Sequence, residues 1–300
     1  MALFICIAVV IVTYYYHFMN YRHIYHAGNF GDVMKHVVLT LLLRKLMRKE
    51  TPLCVLDTHA GIGKYDLASD EALKTAEFQD GIGVLLKAGT LPDIFEPYLD
   101  AVRQCSGMLD ADVVPDRYPG SPWIARYLLR PVDRLVLSEL HSQDVQTLRG
   151  VFAGDRQVQV HHLDAYSALK AFLPPPERRG LILIDPAFEV ENEFELVVKG
   201  LVEAVVRFAT GVFAVWFPIK ERKVIDLFYD DCLRAGFDRM LSVELMVFPD
   251  MLSDRLNGCG MLILNPPWQV DDELREVLPV LQEHLGRGGG SHSITWLSGQ

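Results

Sequence analysis

Cysteine is scarce and poorly placed for a scaffold: Cys6, Cys54, Cys105, Cys232 and Cys259 are scattered, odd in number and never in a Cys-x-x-Cys pair. That excludes a disulfide framework or a thiolate zinc site and fits a reducing, cytoplasmic compartment. His23, His26 and His36 lack the spacing of a known metal site, so no metal is expected. Basic charge is short as well: 29 Lys plus Arg stand against 39 Asp plus Glu, a net −10, which excludes a histone-like binder. There is no GxxxxGK[ST] phosphate loop, and Gly120-Ser121-Pro122 fails the GxSxG elbow. Kinase, GTPase and α/β-hydrolase readings fall away. Disorder is excluded too, because half the residues are hydrophobic and only 23% are charged.

A long uncharged apolar run occurs once, at residues 1–18 (MALFICIAVVIVTYYYHF). It lacks the basic region and small-residue cleavage site of a secretory signal, and its length is at the lower limit for spanning a bilayer. Two readings stand: a membrane anchor, or a mis-called start with the chain proper beginning at Met19. The second is preferred, and no membrane partner is expected.

Beyond the leader the chain is patterned. The run Asp32-Val-Met-Lys35-His36 to Glu50 has the length of a helix with one apolar face and Asp32 as its cap, and Pro52 ends it. Short apolar runs then recur: Pro52–Asp57, Arg134–Glu139, Gln157–Asp164, Gly180–Asp185, Gly211–Phe217 and Gly260–Asn265. Helix-compatible stretches separate them at 143–152, 165–173, 191–209, 220–235 and 272–285. Such alternation predicts an α/β fold with an open parallel sheet, and Leu241–Val247 with Met261–Leu264 predict an antiparallel pair at one edge. Glu139 follows Gly63 by 76 residues, where a plain βαβ unit places its second acid about 20 residues on. Residues 68–120 therefore read as an inserted helical subdomain, with helices over Ala68–Leu86 and Leu91–Leu109.

Several strands end in a carboxylate or its isostere: Asp57, Glu139, Asp164, Asp185 and Asn265. In a doubly wound sheet the parallel strands end on one side, so these groups converge on the ligand crevice. Gly61 and Gly63 form a glycine turn after the first strand, where backbone can approach a ligand. Glu139 is placed to accept from two ribose hydroxyls and Asp164 from an adenine amino group, which points to a nucleoside cofactor. In Asp185-Pro186-Ala187-Phe188, a carboxylate and a backbone carbonyl can accept both N–H bonds of an exocyclic amine while an aromatic ring stacks on the base. This resembles the [DNS]-P-P-[YFW] pattern of N6-adenine and N4-cytosine methyltransferases. Asn265-Pro266-Pro267-Trp268 matches the pattern letter for letter, but it follows the last strands and is read as a structural turn.

The combination of Tyr21-Arg-His23, His26-Ala-Gly-Asn29, Asp32-Val-Met-Lys35-His36, Leu56-Asp-Thr-His-Ala-Gly61, Tyr118-Pro-Gly-Ser-Pro122, Arg179-Gly-Leu-Ile-Leu-Ile-Asp185-Pro186, Arg207-Phe-Ala-Thr-Gly211 and Asn265-Pro-Pro-Trp268 resembles the bacterial 23S rRNA (adenine(2030)-N6)-methyltransferases, the RlmJ family. The resemblance runs from about Met19 to the C-terminus and opens at the YRH element, hence the preference for a start there. It implies a Rossmann-like class I methyltransferase domain at 19–300, interrupted by 68–120, that uses S-adenosylmethionine on an unstacked adenine of free 23S rRNA. By motif, it implies a cofactor set of Lys35, His36, His59, Ser121, Glu139, Asp164 and Ala165, beside Gly61 and Gly63. Asp185, with Pro186 and Phe188, is the implied catalytic group and Tyr21 an RNA contact. The departures are Ala187 for a second proline, Phe188 for tyrosine and Ala165 for a common glycine. A monomer is expected. The alternatives are a DNA N6-adenine methyltransferase and a catalytically impaired RNA-binding relative. Bland roles stay open for single residues: His36 and His59 as core histidines, Ser121 as a helix cap, Trp216 as pocket wall or core. For an RNA substrate, Arg22, His23, Lys35, Lys220, Arg222 and Lys223 are expected to make a local basic face on an acidic body.

Overall fold

The computed structural model describes residues 21–107, 115–249 and 255–299, and the apolar leader with its two readings lies outside them. The apolar runs form strands β1 (Cys54–Asp57), β4 (Arg134–Glu139), β5 (Val158–His162), β6 (Gly180–Ile184), β7 (Val212–Ile219), β8 (Met240–Met246) and β9 (Gly258–Leu264); β2 (Lys64–Asp66), β3 (Arg117–Pro119) and β10 (Ser291–Ser298) complete the set among the described residues. Eight of them make one sheet in the order β10-β8-β9-β7-β6-β1-β4-β5, and β2 pairs with β3 apart from it. β5, β4, β1, β6 and β7 are mutually parallel, whereas β9 runs antiparallel between β7 and β8. This is the class I methyltransferase arrangement.

The reason for continuous apolar runs, rather than alternating ones, is burial on both faces. Leu181 and Leu183 of β6 enter one core with Met34, Leu42 and Leu278. Ile182 and Ile184 enter the other with Leu201, Phe228 and Leu264. Among the described residues no helix is long and apolar enough to cross a membrane.

Three local expectations are corrected. The helix Phe30–Met47 has no single apolar face: 14 of its 18 residues are buried, because the sheet and the helices Glu96–Ser106, Ser121–Leu128 and Val270–Leu285 surround it. Its cap is Asn29, whose Oδ1 accepts the Asp32 N–H at 3.0 Å, not Asp32. The run 68–86 is three short helices, Asp70–Thr75, Glu77–Asp80 and Ile82–Leu86, broken at left-handed Ala76 and at Gly81, where a Cβ would strike the Gly28 carbonyl. The sheet edge also differs. β8 and β9 do pair antiparallel, but β9 lies inside the sheet and the edge strand is β10, which the sequence pattern does not announce.

Strand order reverses about β1, with β4 and β5 on one side and β6 and β7 on the other. The crevice above the carboxyl ends of β1 and β6 is thus the topological switch point where such sheets bind ligands.

Candidate active site

The turn after β1 is tied to its neighbours through acids. Asp57, buried at the strand end, accepts from Ser121 Oγ at 2.7 Å and from the His59 N–H at 3.2 Å. Burial pushes its carboxyl up to about 7, with Asp185 adding to the rise and Ser121 opposing it. Ser121 is the first residue of the helix Ser121–Leu128, whose cap is Gly120, so its hydroxyl serves Asp57 and not the helix end. Gly61 and Gly63 are left-handed, at φ of +59° and +79°. A Cβ on Gly61 would strike Tyr65 Oη, so bare backbone is required there.

The Gly61 N–H donates to Glu139 Oε2 at 2.8 Å, and the His141 N–H donates to Oε1 at 2.7 Å. Burial holds this carboxyl above its ordinary value. After β5, Asp164 caps the helix Ala165–Phe172 by accepting the Ser167 N–H at 2.9 Å, and Ala165 is buried behind it.

Asp185 follows β6 and faces a buried lysine. Lys35 Nζ lies 2.6 Å from Asp185 Oδ2 and 2.8 Å from Asp32 Oδ1. Burial opposes the lysine charge, but the two carboxylates outweigh it and hold the ammonium well above its usual pKa. Asp32 in turn accepts from the Gly28 N–H and lies 2.9 Å from His23 Nε2. Burial disfavours its charge, yet His23 and Lys35 keep its pKa well below normal. The Asp185 N–H donates to His59 Nδ1 at 3.3 Å, and burial depresses His59 to about 4. Pro186 is buried and Ala187 exposed. Phe188 is left-handed at φ +50°, its ring 4.7 Å from Phe194 and 6.2 Å from Trp216.

Other predicted residues sit around this centre. His36 is buried with Nδ1 2.8 Å from Tyr118 Oη, while Nε2 has no hydrogen-bond partner; burial drives its pKa down to about 3. Tyr21 lies 2.8 Å from His23 Nδ1 and stacks on His26; burial, then the charge of Asp185, raises its phenol. Arg22 reaches Asp144 at 3.4 Å. Lys35 touches the carboxylates of Asp32 and Asp185, and among the described residues no cluster of His, Cys, Asp and Glu could hold a metal. Asp32, which the sequence pattern disguises as a cap, joins this centre through Lys35 and His23. The signal available was its place one turn before Lys35 on the same helix face.

Asn265-Pro-Pro-Trp268 does not join the site. Because β9 is antiparallel, Leu264 pairs with Phe213 at the start of β7, so the tetrapeptide lies at the far end of the sheet. Left-handed Asn265 donates Nδ2 to the Ala209 and Gly211 carbonyls at 2.8 and 2.9 Å, as a structural turn does. The basic face is smaller than expected. Arg22, Lys35 and Arg222 are engaged with Asp144, Asp185 and Glu244, and His23 with Asp32, which leaves Lys220 and Lys223 exposed.

The family described as Ribosomal RNA large subunit methyltransferase D, RlmJ matches residues 50–298. A protein of Escherichia coli (strain K12) named Ribosomal RNA large subunit methyltransferase J is 41% identical over 282 residues, covering 93% of this chain and 99% of its own length. The protein of the same name from Haemophilus influenzae is 39% identical over the same coverage. The crystal structure of protein LPL1258 from Legionella pneumophila superposes with a TM-score of 0.83 at 35% identity, over 90% of this chain and 98% of that one. A family match over most of the chain and relatives of about 40% identity along it show that the chain belongs to the RlmJ family of ribosomal RNA large subunit methyltransferases.

Proposed function

We propose that this chain methylates N6 of an adenine in 23S rRNA, with S-adenosylmethionine as donor and Asp185 as the group that accepts the amine N–H. The observation that carries it is the Asp185 carboxylate at the switch-point crevice, 2.6 Å from Lys35 and followed by Pro186 and Phe188. Lys35 donates to Asp185 Oδ2 and orients the carboxylate, which accepts a hydrogen bond from the amine. With the Pro186 carbonyl taking the second N–H, the amine lone pair is drawn out of conjugation with the purine. Phe188 fixes the plane of the base by stacking.

The residues at the ends of β1, β4 and β5 fit the cofactor. Gly61 presents bare backbone, and each Glu139 oxygen already holds one N–H and keeps a lone pair for a ribose hydroxyl. Asp164 and the backbone of Ala165 stand beyond Glu139 for the adenine, and His36 Nε2 is a buried polar atom without a protein partner. Gly63, His59 and Ser121 complete that shell, and Lys35 joins it to the catalytic carboxylate. When bound, S-adenosylmethionine would supply an electrophilic methyl group to N6, and the amine gives up one of its protons in exchange. Tyr21 and Arg22 meet the RNA. In this reading residues 19–300 form one methyltransferase domain into which 68–120 are inserted, acting as a cytoplasmic monomer on an unstacked base in free rRNA.

The test is methyl transfer from labelled S-adenosylmethionine to undermodified 23S rRNA, with duplex DNA in parallel. Wild type labels the rRNA and not the DNA, and Asp185→Asn lowers kcat by at least about 100-fold. Undiminished transfer by Asp185→Asn contradicts the assignment.

A further inference from the structure

We propose that the sheet rim beyond the crevice carries a second nucleotide pocket, which takes a single unpaired base of the RNA flanking the adenine held at Asp185; the inference rests on the rRNA reading above. A cavity of about 260 Å³ opens where the carboxyl end of β8 meets the start of β10, lined among others by Arg222, Glu244, Met246, Phe248, His292 and Ser293.

Topology puts it on the side of the crevice. β8 runs parallel to β7, because both pair antiparallel with β9, so its carboxyl end shares the crevice side with Asp185. In register, Met246 stands opposite Gly258 and Gly258 opposite Ile219, four residues past Val215, the partner of Ile184. The rim therefore rises about 13 Å above the end of β6 and lies roughly 14 Å to its side, three strand spacings away. A strand of RNA with its adenine at Asp185 passes over it within a few nucleotides.

The chemistry suits a base more than a phosphate or a larger ligand. The volume is below the roughly 300–1,000 Å³ of a drug-sized ligand site. Arg222 forks onto Glu244 with both N–H···O contacts at 2.9 Å, and Tyr229 Oη adds a bond to the same carboxylate, so the polar floor is rigid and neutral within itself. A bare anion gains nothing from a neutralised arginine beside a carboxylate. Phe248 forms an aromatic wall, and the Arg255 guanidinium lies over its ring, 3.5 Å from the centroid. A base in the cavity extends that stack. The Ser293 hydroxyl, which donates to Glu244 Oε2 at 3.4 Å, keeps acceptor capacity for a donor on a base edge, and His292, oriented through Nδ1 by Gln282, also lines the cavity. Exposed Lys220 and Lys223, just after β7, are available to the flanking phosphates.

Two variants test it outside the catalytic machinery. Ser291→Trp, at an exposed position on the pocket lining, fills the cavity; Phe248→Ala removes the stacking wall. Kinetics on undermodified 23S rRNA are expected to show the KM for RNA raised about tenfold in both, with kcat and the KM for S-adenosylmethionine within about twofold of wild type. Ser291→Trp leaves the core intact, so the test survives if Phe248→Ala fails to fold. An unchanged RNA KM in folded Ser291→Trp, or a parallel rise in the KM for S-adenosylmethionine, overturns the pocket while wild-type transfer upholds the rRNA reading. No transfer by wild type removes that reading, and the pocket with it.

Discussion

Lys35 and Asp185 are 150 positions apart in the chain and 2.6 Å apart in the fold. Asp185 was legible from the sequence because a strand end followed by Pro-x-Phe carries its own chemistry. The partner of Lys35 was not, because only the packing of the helix Phe30–Met47 against the sheet, over β7 and β9, brings the two together. Burial of the neighbouring histidines has a measurable consequence. His36 is depressed to about 3 by burial, while in the unfolded chain a histidine titrates near 6.5. Below about 6.5 the unfolded chain takes up a proton that folded His36 refuses, so this residue's contribution to stability falls as pH drops toward 3. Urea unfolding of wild type and His36→Gln at pH 4.5 and 6 is expected to show wild type losing more stability on acidification, by about 1.4 kcal/mol per pH unit. Equal losses in the two proteins would show that His36 is not held neutral.

Elements are legible where burial alone decides and obscure where neighbours decide. Two-sided burial wrote β1, β6 and β7 into the sequence as unbroken apolar runs. The position of β9 between β7 and β8, and the edge strand β10, depend on pairing that no local pattern encodes. The helical stretch expected over 68–86 is helical but broken into three for a similar reason, since Gly81 approaches the Gly28 carbonyl and Ala76 is left-handed. Strand order did separate the two tetrapeptides, and that separation is testable. Asn265→Ala loses two carbonyl contacts and a residue suited to φ +53°, so it is expected to cost about 2 kcal/mol in urea unfolding and leave kcat unchanged. Gly61→Ala, at φ +59° against Tyr65, is expected to cost at least as much and to raise the KM for S-adenosylmethionine as well. A catalytic defect in folded Asn265→Ala would reopen the second tetrapeptide as the active one.

At the scale of the molecule, the net charge of −10 argued at first against nucleic acid. The structure changes that argument without making the protein basic. Most of the cations expected at the crevice are paired with carboxylates of the protein itself: Lys35 with Asp185 and Asp32, Arg222 with Glu244, Arg22 with Asp144. Exposed Lys220 and Lys223 then supply only a modest electrostatic term, so RNA binding is expected to rest on stacking and base contacts more than on counterion release. The RNA KM should accordingly rise only weakly between 50 and 200 mM salt, and a loss of orders of magnitude would contradict this. Undermodified 23S rRNA incubated with the protein and S-adenosylmethionine, digested to nucleosides and analysed by mass spectrometry, is predicted to yield N6-methyladenosine with wild type and none with Asp185→Ala. Methyl groups on another atom, or the same N6-methyladenosine from both proteins, would contradict it.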